Sequence, residues 1–392
     1  MKNNKYRLIS EDCKTICGRK VYRIEALKDF GVVKAGELGG YIQNENNLSF
    51  DGESWVCDEA KVFDDARICN DAIIRNNARI YGNAIVRNKA MVYGNAIIYD
   101  NALICDEAEI YDNAWVYGNA KVFEKARVYD KAYVYGNVLV YNNATTHGNA
   151  IICGDIRVCN NAIIGDNAVV SGDAIIEGNA VICQNARVYG NAIIRGNALV
   201  CGNATIYGNA VLDDNVIIEN NTDWLVIGPI GSRNGFTTFS LNKDKGIYVL
   251  CGCFHGNINE FEKAVEETHK GTKYEEEYKL AIALAKKKIT TVETNKMTEL
   301  TNEYIDSLID KAKKNIYVTP DNKAITIIAT FPCGWVISST ANIVSGQKFV
   351  EEELYNKCLD DIKSEVWKLE TYRKTVDNYK KTLKQEKNEN EV

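Results

Sequence analysis

The side chains able to do chemistry are few and fall in two places. His147, one of 3 histidines, lies in the run Tyr141-Asn142-Asn143-Ala144-Thr145-Thr146-His147. A neutral imidazole takes up a proton near neutral pH, so His147 is the candidate general base of this part of the chain. The second place is Gly231-Ser232-Arg233-Asn234. A turn of that composition can cup an anion with backbone N–H groups and the guanidinium fork. Thr237, Thr238, Cys253 and His255 are expected to face the same side of neighbouring strands. A Ser–His or Cys–His nucleophile pair would also need an orienting carboxylate, which the sequence does not place. Among the 13 cysteines, Cys13-x-x-x-Cys17 and Cys251-x-Cys253 lack a second pair at metal-site spacing, so no metal is expected.

The elements that hold these residues follow a period of six. Ala78, Ala84, Ala90, Ala96 and Ala102 mark one register, and Ile80, Val86, Val92, Ile98 and Ile104 mark another two residues later. The period runs from Leu48 to Val216 without insertion or deletion, usually with Gly, Asn or Asp two positions before the small residue. A helix of 3.6 residues per turn would carry such an apolar pair around its axis, whereas short strands and tight turns fit it directly. The β-branched residue marks an inward strand position, and Ala fills a second inward position at a corner. Dipeptides such as Gly118-Asn119 and Gly148-Asn149 supply residues that tolerate left-handed backbone.

Three such walls close a triangular coil of eighteen residues, stacked at roughly 4.8 Å. Asn83, Asn101, Asn119 and Asn137 then form one column, suited to an amide ladder, with Asp155 next. Phe63, Tyr81, Tyr99, Tyr117 and Tyr135 form an aromatic column. A coil alone buries little, and open ends recruit foreign strands, so both ends are predicted to carry caps.

This repeat resembles the hexapeptide-repeat proteins, and the resemblance implies a left-handed parallel β-helix and a homotrimer. Lys5-Tyr6-Arg7-Leu8, Tyr22-Arg23-Ile24, Val33-Lys34-Ala35-Gly36, Gly39-Gly40-Tyr41 and Asn47-Leu48-Ser49 resemble the amino-terminal cap of the YdcK-like branch, which is loosely labelled acetyltransferase. On that resemblance an alternative function is acyl transfer from acetyl-CoA with His147 as base. Transferases of the class usually carry a loop that interrupts the repeat, and this repeat has none. The expectation is therefore no catalytic residue and no cofactor.

The chain is predicted to be mainly β, with a cap over 1–47, the β-helix over 48–221, a ββαα module over 222–289, a linker over 290–296, a small α+β module over 297–376 and a charged tail over 377–392. In the ββαα module, Trp224 to Ile227, Phe236 to Leu241 and Ile247 to Phe254 read as strand segments. Asn257 or Asn259 caps a first helix that ends at Gly271, and a second aligns Tyr274, Tyr278, Ile282, Ala285 and Ile289. Ile227 to Asn234, Cys251 to Phe254 and Glu260-Phe261 resemble an uncharacterised domain of bacteriophage proteins. Thr301 to Ile309, Pro332-Cys333-Gly334-Trp335, Phe349 and Trp367-Lys368-Leu369-Glu370-x-Tyr372 resemble a second phage family, with Met297 as a buried gene start.

Net charge of -6 with isolated outward Lys and Arg disfavours nucleic acid as a partner. No apolar run reaches membrane-spanning length, so neither a membrane segment nor a signal peptide is expected. The cysteines read as reduced thiols of a cytoplasmic protein in an infected or lysogenic bacterial cell. Outward strand positions should be polar, yet Ile85, Leu103 and Leu139 form one apolar stripe, broken by Lys121 and Arg157, and Ile97, Trp115, Tyr133 and Ile151 form another, which read as a face between copies of the chain. The function expected is a non-catalytic scaffold that presents the downstream modules to a protein or small anionic partner. A further alternative is a protein that sequesters an anionic metabolite or nucleotide through Arg233.

Overall fold

The structure is a computed structural model that describes residues 3–213, 216–244, 246–289, 302–319, 324–331, 336–342 and 351–367. The chain forms two compact units, Met1–Val292 and Glu293–Val392. The expected linker, Met297, the Pro332–Trp335 turn, Phe349, the Lys368–Tyr372 part of the motif and the tail lie outside the described residues.

The hexad repeat builds a parallel β-solenoid of about 10 turns. From Trp55 on, each hexad contributes a strand of two to four residues, and strands eighteen apart pair in register, as in Ile97 with Trp115 and Ile98 with Val116. The second residue of each strand and the Ala before it point inward with no exposure, among them Ala96, Ile98, Ala114, Val116 and Ala120. Spacing alone therefore assigns the core, because every hexad delivers one β-branched and one small side chain to the same two depths.

The turns show why Asn and Asp alternate with Gly. Asn76, Asp100, Asp130 and Asn142 all have φ between 56° and 59°, in the left-handed region. Their side chains also accept the turn N–H one coil further on: Asp100 Oδ2 from Gly118 at 3.2 Å and Asp130 Oδ2 from Gly148 at 2.9 Å. Glu124 and Gln184 hold the same conformation, both at φ 59°, although longer side chains are uncommon there. Each makes the equivalent bond, Glu124 Oε2 from Asn142 N at 2.8 Å and Gln184 Oε1 from Gly202 N at 2.9 Å.

Amide ladders run along the edges. Asn83 donates to Asn101 at 3.0 Å, Asn101 to Asn119 at 3.2 Å and Asn119 to Asn137 at 3.0 Å. The column from Phe63 to Tyr135 is stacked, with ring centroids 4.7 to 5.0 Å apart. A second stack, Tyr93, Tyr111, Tyr129 and His147, is spaced at 4.9, 4.8 and 5.3 Å.

An antiparallel meander closes the first end: Tyr6–Ile16, Arg19–Ala26 and Leu38–Ile42, the last pairing in parallel with Lys61 and Val62. At the other end, four antiparallel strands follow in order, Trp224–Ile230, Gly235–Leu241, Ile247–Cys251 and Phe254–Asn257. The module is thus ββββαα rather than ββαα. The run read as one strand from Ile247 to Phe254 breaks at Gly252, whose φ of 59° turns the chain back on itself. Helices α1, Ile258–His269, and α2, Lys273–Lys288, complete it.

The distal sheet is covered on both faces. Trp224 belongs to the solenoid core, and Val226 and Tyr248 pack against that core. The opposite face, with Phe239 and Val249, packs on Phe261, Val265, Tyr278 and Ile282 of the two helices. In the second unit, α3 (Asn302–Lys311) and three antiparallel strands, Lys313–Val318, Ala324–Thr330 and Val336–Asn342, pack with a helix over 351–367. Ile305, Ile325, Ile327, Cys358 and Ile362 form its core.

Candidate functional site

In the distal module, alternation along a strand decides which residues can share a site. Thr237 and Thr238 are adjacent, so they point to opposite faces. Thr237 turns to the helices, where its hydroxyl lies 3.1 Å from Cys251 Sγ. Thr238 turns to the solenoid, where its Oγ1 accepts the Val211 N–H at 3.0 Å. His255 pairs across the sheet with Leu250, which pairs with Thr238, so it shares the Thr238 side and is exposed at the sheet margin. The expectation that Thr237, Thr238, Cys253 and His255 face one side therefore does not hold. The pleat separates Thr238 and His255 from the rest.

Two turns at the same sheet end do come together. The first, Gly231 to Asn234, has Gly231 and Asn234 at φ 73° and 50°. The second is Gly252-Cys253. Arg233 reaches over Gly252, with its Nη1 3.6 Å from Cys253 Sγ, a contact that pushes the guanidinium further above its ordinary range. Asn234 shapes the turn, and its N–H closes on Gly231 O at 3.1 Å.

Beneath these turns lies a pocket of about 260 Å³, lined among others by Ser232, Arg233, Phe236, Cys253, Phe254 and Phe261. The α1 residues Phe261, Ala264, Val265 and Thr268 line it because positions three, four and seven apart share a helix face. Asn257 fixes the entry to α1 with a capping box closed by Glu260. Tyr278 of α2 forms another part of the lining, with its ring 5.6 Å from Phe261 and edge-on to it. Burial and the Cys251 thiol push the Tyr278 phenol well above its usual range, so it stays protonated. Any side chain at Gly231 would collide with the Tyr278 hydroxyl, and Gly231 N donates to Glu277 Oε2 at 2.9 Å.

Sequence reasoning missed the pocket's floor. Tyr278 and Phe261 were legible as helix core, but nothing in their spacing told that the core stops short of the two turns. His269, which stacks on Tyr278 with centroids 5.4 Å apart, was missed altogether.

His147 has a different setting. Its ring continues the tyrosine stack above Tyr129, and Gly165 leaves the space on its other side, where a Cβ would come within 2.5 Å of the imidazole. Nδ1 lies 3.8 Å from Asp130 Oδ2, but that oxygen already takes the Gly148 N–H in the turn pattern of the solenoid. Thr146 beside it is fully buried with an unpartnered hydroxyl. The apolar stripes occupy two different walls: Ile97, Trp115, Tyr133 and Ile151 on one sheet, and Ile85, Leu103 and Leu139 on another. Among the described residues, no three His, Cys, Asp or Glu side chains are grouped so as to hold a metal ion. None of the described helices is long and apolar enough to cross a membrane.

Residues 186–202 match the family model described as the YdcK Beta solenoid repeat. No curated protein matches the chain.

Proposed function

We propose that the chain is a non-catalytic β-solenoid scaffold that presents its distal module to a partner. The observation that carries this reading is the docking of that module. Trp224, Val226, Tyr248 and the Thr238 hydroxyl fix one sheet face to the solenoid end, and the opposite face with its helices holds the Arg233 turn clear of it. A rigid platform bearing one cationic, ring-lined recess suits binding more readily than turnover. On the sequence resemblances, the reading extends to a phage- or prophage-borne protein of the bacterial cytoplasm. It also extends to a homo-oligomer, trimeric by resemblance, associated through the Trp115 and Leu103 walls, which sedimentation of Trp115→Glu against wild type tests.

The test compares wild-type chain and Arg233→Ala immobilised under the same conditions, with retained proteins and small molecules identified by mass spectrometry. At least one molecule retained by wild type alone is expected. Identical retention by both, with both folded, overturns the assignment to this module.

A second reading, acyl transfer from acetyl-CoA, is favoured by one contact, His147 beside Asp130. It requires turnover that falls by roughly 10² to 10⁴ on His147→Ala. No turnover is expected, because stacking and the turn bond already employ both side chains.

A further inference from the structure

The pocket under the Arg233 turn has a composition that narrows what it accepts. Arg233 and His269 are the basic side chains of its lining, and no carboxylate lines it. Among the described residues, the guanidinium hydrogen-bonds to a thiol rather than to an acid. Its fork is therefore open to a planar anion, which it can take with two parallel N–H bonds. Below the rim the surfaces are rings. Phe254 and Phe261 lie 5.0 Å apart and tilted, and Tyr278 meets Phe261 edge-on. Phe236 is 40% exposed and completes the wall beside Arg233. Crossed rings of this kind favour another aromatic body, which gains both buried area and edge-to-face contacts.

Size points the same way. A recess of about 260 Å³ is just below the roughly 300 to 1,000 Å³ of drug-sized ligand sites, so it holds one or two fused rings and not a folded segment of a partner. We infer that this pocket binds a small planar aromatic carboxylate, with the anion on Arg233 and the ring system between Phe236, Phe254 and Tyr278. Ser232 and Thr268 also line the recess, and a hydroxyl can hydrogen-bond polar substituents of the ligand. This deepens the recognition role given to the distal module and rests on it.

The test is calorimetric titration of the full chain with 2-naphthoate, its neutral isostere 2-naphthamide, and acetate. Naphthoate is expected to bind saturably, with naphthamide at least about tenfold weaker and acetate without measurable heat, since one lacks the charge and the other the rings. Arg233→Ala should weaken naphthoate by roughly 10- to 150-fold with unchanged melting. Arg233→Lys should recover only part, because an ammonium lacks the fork. Equal binding of acid and amide, or naphthoate binding indifferent to Arg233→Ala, overturns the assignment. Absence of naphthoate binding while Arg233-dependent retention of some partner persists overturns the aromatic-anion class and leaves the scaffold reading standing; loss of both overturns the two together.

Discussion

The two ends of the solenoid are closed in opposite chemical senses. At the strand flanks and at the Asn that ends most turns, the N–H donates to a carbonyl seventeen residues later, as in Asn83 to Asp100 and Asn101 to Gly118. At these positions the first coil is left with carbonyls and the last with N–H groups. The first end accordingly receives donors at these positions, while the Asp64 N–H, at the turn position that reaches back, is met by Gln43 Oε1 at 3.0 Å. Lys5 Nζ reaches Ser54 O at 2.8 Å, Tyr6 OH reaches Leu48 O at 2.7 Å, and Asn47 Nδ2 reaches Ala66 O at 2.9 Å. The last end receives acceptors. Thr238 Oγ1 takes the Val211 N–H, Asn221 Oδ1 takes the Thr205 N–H at 2.7 Å, and Asp223 Oδ2 takes those of Glu219 and Asn220.

The two closures also differ in geometry. The amino-terminal meander continues one wall edge to edge, whereas the distal sheet lies face-on across the core. Face-on closure leaves a second sheet face to be covered by helices, and the Arg233 pocket arises where that cover ends. Both ends place a buried tryptophan against the solenoid core, Trp55 at 1% and Trp224 at 2% exposure.

Removing those tryptophans should give the largest effects. Trp55→Ala and Trp224→Ala are each expected to cost about 3 to 5 kcal/mol, and Trp224→Ala should in addition expose the distal strands to proteolysis. Chemical denaturation and limited digestion would measure both; similar digestion of the two variants would erase the distinction between the ends. Ala120→Leu tests the uniform interior between them. Ala120 is fully buried at a corner, so overpacking should cost about 1 to 3 kcal/mol. A melting curve superimposable on wild type would contradict the inward assignment.

The donor chemistry of the first end has a pH signature. Burial lowers the Lys5 ammonium from 10.5 to about 8. A depressed lysine means that the unfolded chain binds more protons, so stability should rise with pH between about 8 and 10.5. Wild type minus Lys5→Met, compared across that window, isolates the term, and a flat difference would deny it. The acceptor chemistry of the distal end should be weaker to lose: Thr238→Val leaves the Val211 N–H unpaired at about 1 to 3 kcal/mol or less if water enters. Arg233→Ala should leave the denaturation midpoint unchanged, since its side chain is surface-exposed. Substantial unfolding of that variant would make Arg233 a structural turn residue.

Much of the fold was legible because the repeat has only local requirements. A β-branched residue, a small residue and a turn residue at fixed spacing determine depth, corner and left-handed backbone in every hexad, whatever lies elsewhere in the chain. The Asn83 ladder and the Tyr81 stack followed from the same period. The need for caps was legible too, since unpaired coil ends are costly.

What only the tertiary structure decided lies outside the period. Alternation in Gly235–Leu241 shows that Thr237 and Thr238 part company, but not which face meets the solenoid and which meets the helices. That choice sends Thr238 and His255 away from Arg233 and brings Phe261, Tyr278 and His269 toward it. The His147 neighbourhood was likewise ambiguous in sequence, because a base beside an acid and a stacked ring beside a turn residue use the same letters. Local propensity and spacing act over a few residues, and they set the sequence's share of the answer. Which faces meet is a matter of burying apolar area between elements far apart in the chain, and the packing of the distal sheet between solenoid end and helices settled it.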